Sequence, residues 1–240
     1  MAYQKPENQA GTIMVNNKLK RISTFITALG LFLLLIFAVV VVYTSTHYAK
    51  VVNGASMYPT LNKQATDQAN EDYYDIVLVS ATATPQRGNI IIVDFSEYKK
   101  EPYLLIKRLI AVGGDTLNIK WNEQNNELDI LVNGKKIIEN YVSTNTNKSI
   151  ATSFEHNKTS FVWYINQDES TKLTPNEDGS ITIPKGYYFA LGDNRGNSSD
   201  CLSFGPLPTS TIIGVVDTIV PYNSFLFKIL HNIFGVRKNE

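Results

Sequence analysis

The longest hydrophobic run in the chain extends from Ile22 to Tyr43 without a charged residue, and its centre, L-G-L-F-L-L-L-I-F-A-V-V-V-V, is close to pure hydrocarbon. About twenty such residues in a helix, rising roughly 1.5 Å each, span a bilayer, so the run predicts a transmembrane helix. Lys18, Lys20 and Arg21 stand at its N-terminal edge, whereas Thr44 to His47 carry no fixed positive charge. Cations mark the cytoplasmic side. The pattern therefore predicts a cytoplasmic tail over 1–21, an anchor over 22–43 and a remainder that lies outside. A cleaved signal peptide has an apolar core of about 7–15 residues and an Ala-x-Ala-like site. The following Y-T-S-T-H-Y-A-K has no good one, which favours a retained anchor.

Beyond the run the pattern changes to short β-branched and aromatic stretches broken by Gly, Pro, Asn and Asp. Tyr48–Val52, Asp75–Val79, Asn89–Val93, Tyr103–Val112, Leu128–Val132, Tyr187–Leu191 and Ile212–Val220 read as strands. Val132-Asn133-Gly134-Lys135-Lys136-Ile137 has the Asn-Gly signature of a tight hairpin. No stretch here shows a convincing amphipathic helix. The expectation is a mainly β domain over 44–220 outside a single N-terminal transmembrane helix. Residues 139–180 are rich in Asn, Thr, Ser and Lys and poor in aliphatics, and predict a polar insertion, a small cap on the β core. Residues 221–240 form an apolar tail too short to span a membrane, suited either to a packed terminal helix or to the lipid interface.

Composition narrows the function classes. Lys+Arg and Asp+Glu number 22 each in 240 residues, so no charge excess points to nucleic acid. The one cysteine, Cys201, has no internal disulfide partner, and His47, His156 and His231 are scattered without metal-ligand spacing. No metal or cofactor is expected.

Three stretches hold the candidate chemistry. In N-G-A-S-M-Y-P-T-L, residues 53–61, Ser56 sits between small residues and a Met-Tyr-Pro turn. Taken alone, this is also an ordinary surface turn. In Y-L-L-I-K-R-L-I-A-V-G-G-D, residues 103–115, strand alternation puts Lys107 on a face with Leu105 and Leu109, and Arg108 with Ile106 and Ile110. Charges of this kind also protect edge strands; the density of aliphatics on both faces argues instead for burial. A buried lysine loses its proton more readily than a free one, and a serine hydroxyl needs such a base to become a nucleophile. In L-G-D-N-R-G-N-S-S-D-C-L-S-F-G, residues 191–205, acids, serines and an arginine crowd a Gly-bounded turn that also suits anion or calcium binding.

Together with R-G-N-I-I-I-V at 87–93, and in this order behind a membrane-length segment, the three stretches resemble the type I signal peptidases of bacterial membranes. The resemblance covers residues 53–205 and rests on four blocks coinciding. It implies a membrane-bound serine endopeptidase that removes signal peptides from exported preproteins at the outer face of the cytoplasmic membrane, with Ser56 as nucleophile and Lys107 as general base. It further implies that Ser198 helps hold the lysine and that Asp193 and Asp200, with Arg108, brace the site. Substrates would carry small residues at the first and third positions before the cut, in shallow pockets around Gly54, Ala55, Leu105 and Ile106. The sequence also departs from the family pattern. Asn89 stands in place of an aspartate, Ala111 and Gly113 in place of Gly and Pro, and Cys201-Leu202 in place of Ser-Arg, which leaves Asp200 without its expected arginine. Gly54 stands where some members have a serine that serves the oxyanion hole, so the Ser56 N–H is the expected donor. A self-cleaving repressor of Ser-Lys type is disfavoured by the anchor, and a non-catalytic β-domain that binds export components is the alternative from another class.

Overall fold

The computed structural model describes residues 7–63, 74–122, 124, 127–142, 163, 165 and 171–233. The chain falls into two compact units that divide between Thr46 and His47.

The first unit is one helix, α1, Glu7–Thr46, of 40 residues. Its Lys18–Thr46 stretch, 29 residues, is long and apolar enough to cross a membrane. The helix thus extends past the apolar run at both ends. Phe25, Leu34 and Phe37 are each about two-thirds exposed, a surface that hydrocarbon would cover. The hydroxyls of Thr24, Thr27, Thr44 and Thr46 donate to carbonyls four residues earlier, which gives each an internal acceptor along an apolar helix.

The second unit is mainly β. Its strands are β1 His47–Val51, β2 Ile76–Ser80, β3 Ile90–Asp94, β4 Leu104–Val112, β5 Thr116–Asn122, β6 Glu127–Val132, β7 Lys135–Lys136, β8 Ile181–Thr182, β9 Tyr187–Leu191, β10 Leu207–Pro208 and β11 Ile212–Val220. Among the described residues they form a seven-stranded sheet, β1-β2-β11-β3-β4-β9-β10, and a four-stranded sheet, β7-β6-β5-β8. Every pairing is antiparallel. β3, I-I-I-V-D, lies inside the larger sheet and buries its first four residues, as a near-continuous aliphatic run requires.

All seven strand-like stretches fall within a residue of observed strands. β5 was not among them. Its T-L-N-I-K-W-N alternates with only one apolar face, and it begins two residues after Gly113-Gly114, so the longer aliphatic run of β4 obscures it. The Asn133-Gly134 hairpin forms between β6 and β7, with φ of 52° and 73° at the two turn residues. Gly113 is fixed by packing: a β-carbon there would lie 2.9 Å from the Pro184 carbonyl oxygen.

Most of the expected polar cap, 143–162, 164 and 166–170, lies outside the described residues. Trp163 within it belongs to the main core, 4% exposed, edge-on to Phe189 and donating from Nε1 to the Leu202 carbonyl. The C-terminal segment is a helix, Phe225–Ile233, that buries Phe227 against Tyr74 and Tyr222 and leaves Phe225 exposed. Of the two readings offered for 221–240, a packed terminal helix or a segment in the lipid interface, the burial of Phe227 corresponds to the first.

Candidate active site

Ser56 is held by a turn plugged into the core. Met57 and Leu61, each 1% exposed, join Val52, Val77, Val79, Ile90 and Ile92 in one apolar cluster. The Tyr58 N–H donates to the Ala55 carbonyl and the Leu61 N–H to that of Met57, which winds the turn tightly. Asn62 then ties it back: its Nδ2 donates to the carbonyls of Val52 and Gly54 at 3.1 and 3.0 Å, and its backbone N–H and Oδ1 pair with Asp75. The serine hydroxyl therefore stands on a rigid support.

β4 supplies the partner. Leu105, Lys107 and Leu109 share its buried face, with Lys107 only 4% exposed. Lys107 Nζ lies 2.9 Å from Ser56 Oγ and donates to the Ile106 carbonyl at 2.9 Å. Burial pulls the Lys107 ammonium down to about 8, against the attraction chiefly of Asp200. Arg108 points the other way along the strand. It forks onto Asp193, Nε to Oδ1 at 2.8 Å and Nη2 to Oδ2 at 2.6 Å, and donates from Nη1 to the Gly88 carbonyl. Asp193 is fully buried and also accepts from the Thr60 hydroxyl, so one carboxylate joins β4 to the serine turn.

The 192–200 loop closes the site. Asn194 donates from its backbone N–H to the Ser56 carbonyl and from Nδ2 to the Ala55 carbonyl, each at 3.0 Å. Asp200, 1% exposed, accepts from the Gly192 N–H at 2.9 Å and the Leu202 N–H at 3.1 Å and caps the short helix Cys201–Phe204. The missing arginine thus leaves no unpartnered carboxylate, because backbone amides take its place. Burial raises the Asp200 carboxyl pKa, with the two amides, the Ser198 hydroxyl and Lys107 acting against the rise. Ser198 Oγ is buried, packs against Gly192 and makes no hydrogen bond to Lys107; its hydroxyl acts on Asp200 instead, where it opposes the rise in that carboxyl's pKa. The expected grip of Ser198 on the lysine is absent from this arrangement.

A cleft of about 670 Å³ opens beside the serine. Gly54, Ala55, Leu105 and Ile106 all line it, with Ser56 and Lys107. Gly54 has φ +80° and open space where a β-carbon would be, so its requirement is one of backbone conformation. The Ser56 N–H makes no hydrogen bond to any described residue. The site also contains Asn62, Asn194, Thr60, Glu139 and Tyr141, to which the sequence assigned no role. Thr60 and Asn194 lie in the quoted stretches and Asn62 just past the first of them, where such residues signal only a turn; Glu139 and Tyr141 carry no local signal.

The family model described as signal peptidase, peptidase S26, matches residues 22–221. The chain belongs to the signal peptidase family, peptidase S26. The signal peptidase I P of Bacillus subtilis subsp. natto is 30% identical over 203 residues, 84% of this chain and 90% of that protein. The signal peptidase I of Aquifex aeolicus is 30% identical over 209 residues, 75% of this chain and 78% of its own length. For signal peptidase I S of B. subtilis the match is 29% over 150 residues and spans 63% of that relative, slightly under two thirds. As a peptidase S26 signal peptidase, the protein is a serine endopeptidase that cleaves signal peptides.

Proposed function

We propose that Ser56 is the nucleophile and Lys107 the general base of this signal peptidase, acting on preproteins at the outer face of a bacterial cytoplasmic membrane. The observation that carries the reading is the 2.9 Å approach of Lys107 Nζ to Ser56 Oγ at a lysine 4% exposed, with its pKa pulled down to about 8. A neutral Lys107 keeps one N–H on the Ile106 carbonyl and turns its lone pair to the serine. Ser56 Oγ attacks the scissile carbonyl carbon as its proton passes to Nζ. The oxyanion accepts the unpaired Ser56 N–H. The C–N bond then breaks as the Lys107 ammonium returns the proton to the leaving amine. Water, deprotonated in turn by Lys107, hydrolyses the ester to release the signal peptide and regenerate Ser56.

The cleft flanked by Gly54, Ala55, Leu105 and Ile106 suits an extended backbone with small side chains. The Lys18, Lys20 and Arg21 cluster supports a cytoplasmic N-terminus, with the apolar helix as a retained anchor. Purified full-length protein is assayed on a preprotein in detergent beside Ser56→Ala and Lys107→Ala. Loss of cleavage in both folded variants is expected; cleavage by Ser56→Ala overturns the assignment. Protease added to intact protoplasts should remove the unit after the anchor, and recovery of a soluble form starting near Ala49 overturns the retained anchor.

A further inference from the structure

We propose that Glu139 and Tyr141, at the start of the polar insertion, are positioning residues that clamp the 192–200 loop and through it the nucleophile. Arg195, 3% exposed, forks onto Glu139, with Nη1 3.0 Å from Oε2 and Nη2 on Oε1. Its third donor, Nε, holds the Gly192 carbonyl at 3.1 Å. The Tyr141 hydroxyl donates to Glu139 Oε1 at 2.8 Å, and the Tyr141 ring lies under the Arg108 guanidinium, 3.9 Å from its centre. Arg108 in turn forks onto Asp193. These contacts close a ring. It runs from the serine turn through Thr60 and Asp193 to Arg108, across the Tyr141 face to Glu139, and through Arg195 to Gly192, two residues before the Asn194 that bonds the Ser56 and Ala55 carbonyls.

The ring is chemically balanced. Two guanidinium groups face two carboxylates, and each guanidinium is engaged along its planar fork, the geometry that arginine offers and lysine lacks. Removing one member leaves a buried charge unpaired, which is far more costly than the pair itself is stabilising. Without Glu139, Arg195 has no carboxylate on its fork, and the Gly192 carbonyl loses the group that orients its donor. None of Glu139, Tyr141 and Arg195 lines the cleft. Their effect therefore falls on the placement of Ser56 relative to Lys107, a step governed by tenths of an ångström, and not on substrate affinity. The first residues of the insertion are thereby built into the catalytic frame, which gives the insertion's attachment point a role apart from whatever its polar body does.

The proposal rests on the Ser56–Lys107 reading and is tested on the full-length protein in detergent with a preprotein substrate. Glu139→Gln should lower kcat at least tenfold with KM within twofold of wild type. Tyr141→Phe keeps the ring beneath Arg108 and should stay within threefold. Tyr141→Leu removes the ring, leaves both ion pairs in place, and should lower kcat further than Tyr141→Phe. Thermal unfolding of each variant checks that the loss belongs to folded protein; should Glu139→Gln fail to fold, the Tyr141 pair carries the test alone. Equal kcat in the Phe and Leu variants, or a rise in KM at unchanged kcat, overturns the clamp. Cleavage surviving Ser56→Ala is a separate result, which overturns the dyad instead.

Discussion

The Ser198 side chain fills the space beside Gly192 so closely that a β-carbon on Gly192 would lie 2.2 Å from Ser198 Oγ and 2.5 Å from the Ser56 carbonyl oxygen. The glycine is thus a contact surface for both the Ser56 peptide and the 192–200 loop. Gly192→Ala should lower kcat/KM by about a hundredfold or more, as expected for a displacement of about 1 Å at a reacting group. Removing the side-chain clash with a second change, Ser198→Gly, should fail to restore activity, because the clash with the Ser56 carbonyl remains. Recovery in the double variant, measured as preprotein cleavage, would show that the side chain alone sets the constraint.

Gly54 tests a different limit. Its φ of +80° costs an L-residue about 1–2 kcal/mol, although no atom stands in the way of a side chain. Gly54→Ala should therefore lower Tm by several degrees without a packing defect. Gly54→Ser bears the same strain but adds a hydroxyl, and one oxyanion donor is worth about 3 kcal/mol in the transition state. Its kcat should exceed that of Gly54→Ala at equal stability; equal kcat values mean that the hydroxyl does not reach the oxyanion.

In the proposed mechanism the reactive form needs a neutral Lys107, whose pKa is drawn down to about 8 by burial. kcat/KM should rise with pH and level off above that value. Lys107→Arg keeps the charge but does not deprotonate near neutrality, and should be as inactive as Lys107→Ala. Changing His47, His156 or His231 to Ala should leave cleavage within a few-fold of wild type. Strong activity in Lys107→Arg, or its loss on removing one histidine from folded protein, requires a different base.

The same lysine weakens the fold. Its pKa is near 10.4 in an unfolded chain and about 8 when folded, so between these values the unfolded state binds more protons and stability rises with pH. Below about 8 the penalty is fully present, on the order of 3 kcal/mol. Lys107→Met should therefore be more stable than wild type at pH 7, and denaturant unfolding should show the difference shrinking from about pH 8 to about pH 10. A constant difference across that window means that Lys107 is not the group responsible.

The sequence was most informative where one chemical property repeats along the chain. The apolar helix follows from an unbroken run, the aliphatic strands and the buried face of Leu105, Lys107 and Leu109 follow from periodicity, and the blocks around Ser56 and Asp193 follow from residue order. What it hid depends on contacts distant in the chain. Arg195 and Glu139 are 56 positions apart, and nothing local to either names the other. Asp200 shows the opposite case: its expected arginine is missing from the sequence, but the carboxylate is satisfied by backbone amides that no side-chain pattern encodes. β5 escaped notice because a half-exposed alternation is a weaker signal than the aliphatic run beside it.

Cys201 is the chain's single thiol, 1% exposed, with its pKa pushed up by burial in the core beneath the 192–200 loop. Neither alkylating reagents nor a change of redox conditions can engage it while the fold is intact. The exterior therefore offers no thiol. A cysteine introduced on the rim of the cleft, for instance at Asn53 or Ser199, would be a unique handle, and a fluorophore placed there would report a passing signal peptide without background from the native chain.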